Sequence, residues 1–111
     1  MSSRDPLDYR KVIIAVAKTL NASRDVTIDA SHSRADIFDV TTAREGGEPV
    51  KYRLEKLDAF MMLTIGHDIV PDTAFNRWLA NFEYELEQTF LTNIRLETTR
   101  ESSHYRIKIN L

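Results

Sequence analysis

The 111-residue chain is 42% hydrophobic and 29% charged, a balance that suits one folded domain and excludes a wholly disordered tail. Fifteen Lys or Arg residues oppose seventeen Asp or Glu residues for a formal charge of -2, too small an excess to select a polyanionic or polycationic partner on net charge alone. Cysteine is absent, so neither a disulfide framework nor thiolate chemistry enters, and a reducing compartment is the expectation.

The N-terminus, Met1-Ser2-Ser3-Arg4-Asp5-Pro6, lacks the apolar stretch of a signal peptide and reads as flexible over residues 1–4. A first helix is expected from about Pro6 to Ala22. Asp5 can cap it, Pro6 tolerates the first helical position, and Asp8 suits the positive helix end. Tyr9, Val12, Ile13, Val16, Ala17 and Leu20 recur at spacings of three and four, which draws one broad apolar face.

The period then changes. Val26, Ile28 and Ala30 alternate with Thr27 and Asp29, as in a half-buried strand; Ser31, His32 and Ser33 interrupt it, and Ala35 to Thr42 is rich in β-branched and aromatic residues. The run Arg44-Glu45-Gly46-Gly47-Glu48-Pro49 predicts a surface turn, and it lacks the glycine spacing, Lys and Ser or Thr of a phosphate loop. Val50, Tyr52 and Leu54 alternate with Lys51, Arg53 and Glu55, so the return strand carries a basic outer side.

Leu57, Ala59, Phe60, Met61, Met62, Leu63 and Ile65 form a nearly continuous apolar run ended by Gly66. Such a run does not resolve its own period; a short buried helix is the favoured reading, an internal strand the other. A long helix is expected over about Thr73 to Thr89, with Asp72 as its N-cap and Phe75, Trp78, Leu79, Phe82, Leu86 and Phe90 on one side. Core packing accounts for that aromatic stripe. Ile94 to Thr98 and Tyr105 to Leu111 return to a twofold pattern and predict a terminal hairpin. Altogether the sequence predicts a single α+β domain spanning residues 1–111. Two main amphipathic helices and a short third helix would cover one face of a largely antiparallel sheet.

Charge is unevenly distributed. Residues 61–91 hold Arg77 against Asp68, Asp72, Glu83, Glu85 and Glu87, whereas residues 92–111 hold Arg95, Arg100, Arg106 and Lys108 against Glu97 and Glu101. The acidic segment reads as a solvated helix face able to select a basic partner. His32, His67 and His104 are dispersed, without the spacing that places two imidazoles on one helical turn, so no metal or cofactor is expected.

Three functions compete. The favoured one is a small, non-catalytic protein-interaction, regulatory or assembly module, whose partner or second copy docks on Phe60, Met61, Met62 and Leu63 or on an exposed strand edge. A second is nucleic-acid binding through Lys51, Arg53, Arg95, Arg106 and Lys108, with Tyr52 and Tyr105 at the opposite parity and therefore withheld from base stacking. The third is a small enzyme using His32 with Asp29, Asp36 or Asp39, which requires these groups to converge within proton-transfer reach. Without a signal segment or an apolar run of membrane-spanning length, the expected location is cytoplasmic, with no membrane partner.

Overall fold

The computed structural model describes residues 9–29 and 36–110, the Arg24 side chain excepted. The expected start of the first helix at Asp5 and Pro6, the flexible residues 1–4 and His32 with its flanking serines lie outside those residues. Along the chain run α1 (Tyr9–Leu20), β1 (Ala22–Asp29), β2 (Ile37–Arg44), β3 (Val50–Lys56), β4 (Met61–Gly66), α2 (Asp72–Phe90), β5 (Arg95–Arg100) and β6 (His104–Asn110). The strands form one six-stranded sheet in the order β1-β2-β3-β4-β6-β5, and every neighbouring pair is antiparallel.

Local chemistry explains the boundaries. Asn21, at φ 55°, ends α1 in the left-handed region that Asn tolerates better than most residues, and β1 begins at once. Gly46, at φ 73°, lets the chain reverse between β2 and β3. Gly66 closes β4, and its carbonyl accepts the N–H groups of both Ile69 and Val70 at 3.1 Å. A side chain there would collide with the Asp68 carboxylate. Helix α2 ends at Leu91, whose N–H donates to the Glu87 carbonyl at 2.9 Å with φ 59°.

The expected third helix does not form. Residues 57–60 make a tight turn in which the Leu57 N–H donates to the Phe60 carbonyl at 2.9 Å, and the rest of the apolar run is strand β4, so the described residues form two helices rather than three. Met61, Leu63 and Ile65 point into the core while Met62 and Thr64 point away. An outward methionine had hidden the alternation. Position between β3 and β6 decides the outcome, because a strand there satisfies backbone groups on both of its sides and tertiary pairing overrides the helical preference of Met and Leu.

One sheet face is the core. Val40, Val50, Tyr52, Leu54, Met61, Leu63, Ile65, Tyr105, Ile107 and Ile109 are buried together with Val12, Ile13 and Val16 of α1 and Phe75, Trp78, Phe82 and Leu86 of α2. Aromatic packing binds helix to sheet where Phe75 of α2 stacks on Tyr105 of β6 at 3.7 Å, and within α2 Trp78 stacks on Phe82 at 5.0 Å. The helices are joined by the Thr19 hydroxyl, which accepts from Trp78 Nε1 at 3.1 Å and donates to the Ala15 carbonyl at 3.0 Å. Lys18 and Glu85 form an ion pair at 3.7 Å over the same seam.

Asp72 differs from its expected role. Pro71 is the N-cap residue of α2 and no side chain caps the helix. The Asp72 carboxylate instead takes Arg100 Nη2 at 2.6 Å and Nε at 3.1 Å and accepts the Tyr105 hydroxyl, pinning the start of α2 to the β5–β6 hairpin. Arg100 and, to a smaller extent, the nearby His67 hold the Asp72 carboxyl below the usual carboxylate range.

Two stability predictions follow from these groups. Because the folded pKa of Asp72 is depressed, its contribution is present at neutral pH and lost as pH falls through and below about 4. Asp72→Asn should therefore lower the Tm at pH 7, and the gap from the parent should close on acidification when melting is followed across pH 7 to 2. The Tyr52 hydroxyl is buried without a hydrogen-bond partner among the described residues, and burial pushes its ionisation up. Tyr52→Phe should stabilise the fold by about 1 kcal/mol in urea titrations. Its advantage should widen above about pH 10, where the tyrosine of the unfolded parent ionises first.

Candidate functional site: the open face of the sheet

Both helices pack on the same side of the sheet, so the side chains of opposite parity face away from them. Cross-strand register fixes who neighbours whom. One row runs Asp39, Arg53, Thr64, Arg106, Thr99; the next runs Ile37, Glu55, Met62, Lys108, Glu97. Opposite charges directly across strands attract and like charges repel; here Asp39 faces Arg53 and Glu97 faces Lys108, while Arg106 lies between Thr64 and Thr99. Arg53 Nε donates to Asp39 Oδ1 at 2.8 Å, and Asn110 Nδ2 donates to Glu97 Oε2 at 3.1 Å.

The face is furrowed. A depression of about 500 Å³ is lined by Asn93, Ile94, Arg95, Glu97 and Asn110. A second of about 170 Å³ lies against Met62, Glu97, Thr99, Arg106 and Lys108. A third of about 400 Å³ is bordered by Arg53, Glu55, Thr64, Glu101, His104 and Arg106. Glu97 borders the first two and Arg106 the last two, so the three depressions adjoin one another across β5, β6, β4 and β3.

Lys51, Arg53, Arg95, Arg106 and Lys108 all lie on this face, and Tyr52 and Tyr105 lie on the other, at 6% and 3% exposure. The cations are interleaved with Asp39, Glu55, Glu97 and Glu101, which come from neighbouring strands. Lys108 also sits 4.4 Å over the Phe60 ring, a cation–π contact that pulls its ammonium toward the β3–β4 turn.

The run Phe60–Leu63 divides between two surroundings. Met61 and Leu63 are core residues at 1% and 0% exposure, so they are withheld from any partner. Phe60 and Met62 are half-buried, and Met62 lines the second depression. The expected convergence of His32 with Asp29, Asp36 or Asp39 lies outside the described residues, because His32 does. Asp29 and Asp39 are register partners across β1 and β2, and Asp39 is engaged by Arg53.

Sequence reasoning missed the cluster of His67, Asp72, Arg100 and Tyr105. His67 packs on Tyr105 at 4.6 Å, and its Nε2 is buried without a hydrogen-bond partner among the described residues. The signal could not come from spacing, because the four residues reach one corner from β4–α2, α2, β5 and β6. Asp72 is held anionic and its oxygens are occupied by Arg100 and Tyr105, so the cluster works as a clamp rather than as a proton-accepting site. On the helix side, Thr19, Leu20, Ile69, Val70, Pro71, Ala74, Arg77, Trp78 and Asn81 border a mainly apolar groove of about 220 Å³.

Among the described residues no three His, Asp or Glu side chains converge as a cation cage, and no helix is long and apolar enough to cross a membrane. No family model, curated protein or solved structure matches the chain.

Proposed function

We propose that the chain is a non-catalytic protein-interaction module that takes a polypeptide partner on the open face of its sheet. The observation that supports this reading is the set of three adjoining depressions that meet at Glu97 and Arg106, lined by both signs of charge on the sheet face opposite α1 and α2. A polypeptide carries both charges and can match such a pattern, which also rejects partners of the wrong pattern by like-charge repulsion. Met62, with Phe60 beside Lys108, offers the apolar contact area at the centre that interfaces need.

Nucleic-acid binding is the second reading, favoured by the placement of Lys51, Arg53, Arg95, Arg106 and Lys108 on one face. The interleaved carboxylates oppose it, because each lies where a phosphate would have to sit. Among the described residues the strands of this face also present no fully exposed aromatic ring on which bases could stack.

The two readings separate in one experiment. The full chain is panned against a displayed library of extended peptides, and its affinity for a fluorescent single-stranded oligothymidylate is measured over a salt series. Selected peptides should carry acidic and basic residues in alternation, and Arg106→Glu should weaken them about tenfold or more, equivalent to about 1.4 kcal/mol. The oligonucleotide should bind weakly. Tight oligonucleotide binding with a steep loss in salt, abolished by Arg106→Glu, together with no peptide selection, would reverse the order.

A further inference from the structure

The sheet has two edges, and they are built differently. At β1 the pairing register shifts between Ala22 and Val26, and Thr42 Oγ1 reaches across to the Ser23 carbonyl at 2.6 Å. Irregularity of that kind blunts an edge against further pairing. β5 pairs with β6 in unbroken register from Arg95↔Asn110 to Arg100↔Tyr105 and contains no proline.

The direction of its peptide groups can be read from the hairpin. The Glu101 N–H donates to the His104 carbonyl at 2.8 Å, and hydrogen-bonded residues alternate along an antiparallel ladder. Arg95, Glu97 and Thr99 therefore aim their peptide groups at β6. Leu96, Thr98 and Arg100 aim theirs at the free edge, where no other strand of the sheet lies and no backbone partner meets them among the described residues.

We propose that this edge pairs with the β5 edge of a second copy of the chain, antiparallel and centred on Thr98. Only a register placing Thr98 opposite the partner's Thr98 pairs all three outward residues, with Leu96 opposite the partner's Arg100. Each then gives one hydrogen bond and accepts one. Centring the axis on Arg100 would set two guanidinium groups side by side. Centring it on Leu96 would call on the Ile94 N–H, which already donates to Glu87 Oε2 at 3.3 Å, and would leave Arg100 unpaired.

Charge supports the same register. The non-hydrogen-bonded positions put Arg95 opposite the partner's Glu101 and Glu97 opposite the partner's Thr99, all on the open face. The two-fold axis is perpendicular to the sheet, so the two open faces lie on the same side of one continuous sheet. The 500 Å³ depressions beside Arg95 and Glu97 would flank the seam. The contact consists of one strand edge and its flanking charges, which belongs to the small, transient class of interfaces.

The proposal goes beyond the face-binding reading and does not depend on it. Sedimentation velocity of the full chain, from about 10 μM to about 1 mM, should show a reversible monomer–dimer equilibrium. Thr98→Pro removes a donor that the chain's own ladder does not use, and proline is tolerated on edge strands; it should weaken association at least tenfold with the circular dichroism spectrum retained. Arg95→Glu and Glu101→Arg provide the second route, since each leaves the backbone untouched. Each alone should weaken self-association, and an equimolar mixture of the two variants should recover a heterodimer because both charge pairs are then opposite in sign. A chain that stays monomeric throughout that range overturns the pairing, as does association indifferent to the charge changes or a mixture that fails to recover. A monomer that still selects peptides on its open face would remove the dimer and leave the face-binding reading standing.

Discussion

The β4–β6 ladder is the joint on which the molecule depends. Strands β1 to β4 form a meander in which each strand pairs with its predecessor, and such a unit is local in sequence. β6 arrives only after α2 and β5, yet it pairs with β4 from Met61↔Ile109 to Gly66↔His104. That long-range closure draws α2 back across the sheet, and the aromatic stripe of α2 then shares one core with Leu63, Ile65, Tyr105 and Ile107, Phe75 stacking on Tyr105. Non-local pairing of this kind incurs its loop entropy before its contacts form. Burial of Phe75, Trp78, Phe82 and Leu86 against the new strand pair is what offsets it.

Closure on one side leaves the other side open. Because α1 and α2 both use the inner parity of the sheet, no helix among the described residues covers the outer parity, and its side chains are those an antiparallel sheet can expose. Individually the exposed ion pairs there contribute little to stability, about 0–1 kcal/mol. Arg53 is bound to Asp39, and Lys108 shares its row with Glu97 and Glu55; in the proposed reading their effect is selective, a mixed pattern that disfavours a uniform polyanion more than a polypeptide.

Much of this architecture is legible in the sequence, and the failures share a cause. The periods of α1, α2, β3 and the terminal hairpin can be read because each has one apolar and one polar side. β4 cannot, because Met62 places an apolar residue on the outward side and erases the alternation that Thr64 would otherwise have marked. Parity alone gathers Lys51, Arg53, Arg95, Arg106 and Lys108 on one side of their strands. The carboxylates that temper them depend on register: Asp39 meets Arg53 and Glu97 meets Lys108 across hairpins, and alternation alone does not say which residues stand opposite one another. Asp72 is similar: beside Pro71 it has the sequence signature of a helix cap, yet Arg100 and Tyr105, far along the chain, claim its carboxylate.

The insertion of β6 between β4 and β5 makes β5 an edge, and the parity of β5 divides its work. Its even-numbered residues send side chains toward the helices and peptide groups out of the sheet. Its odd-numbered residues send side chains onto the open face and peptide groups into the β6 ladder. Hydrogen bonding at the edge is therefore supplied by residues whose side chains are turned inward, and any strand could use it. In the proposed pairing, discrimination rests with Arg95, Glu97 and the neighbouring Glu101, whose charges also border the depressions of the open face. Edge and face would then share charges: what pairs at the edge is tested by residues that also line the face. A partner strand lacking a carboxylate opposite Arg95 and a cation opposite Glu101 would meet the same backbone donors and acceptors without the electrostatic match.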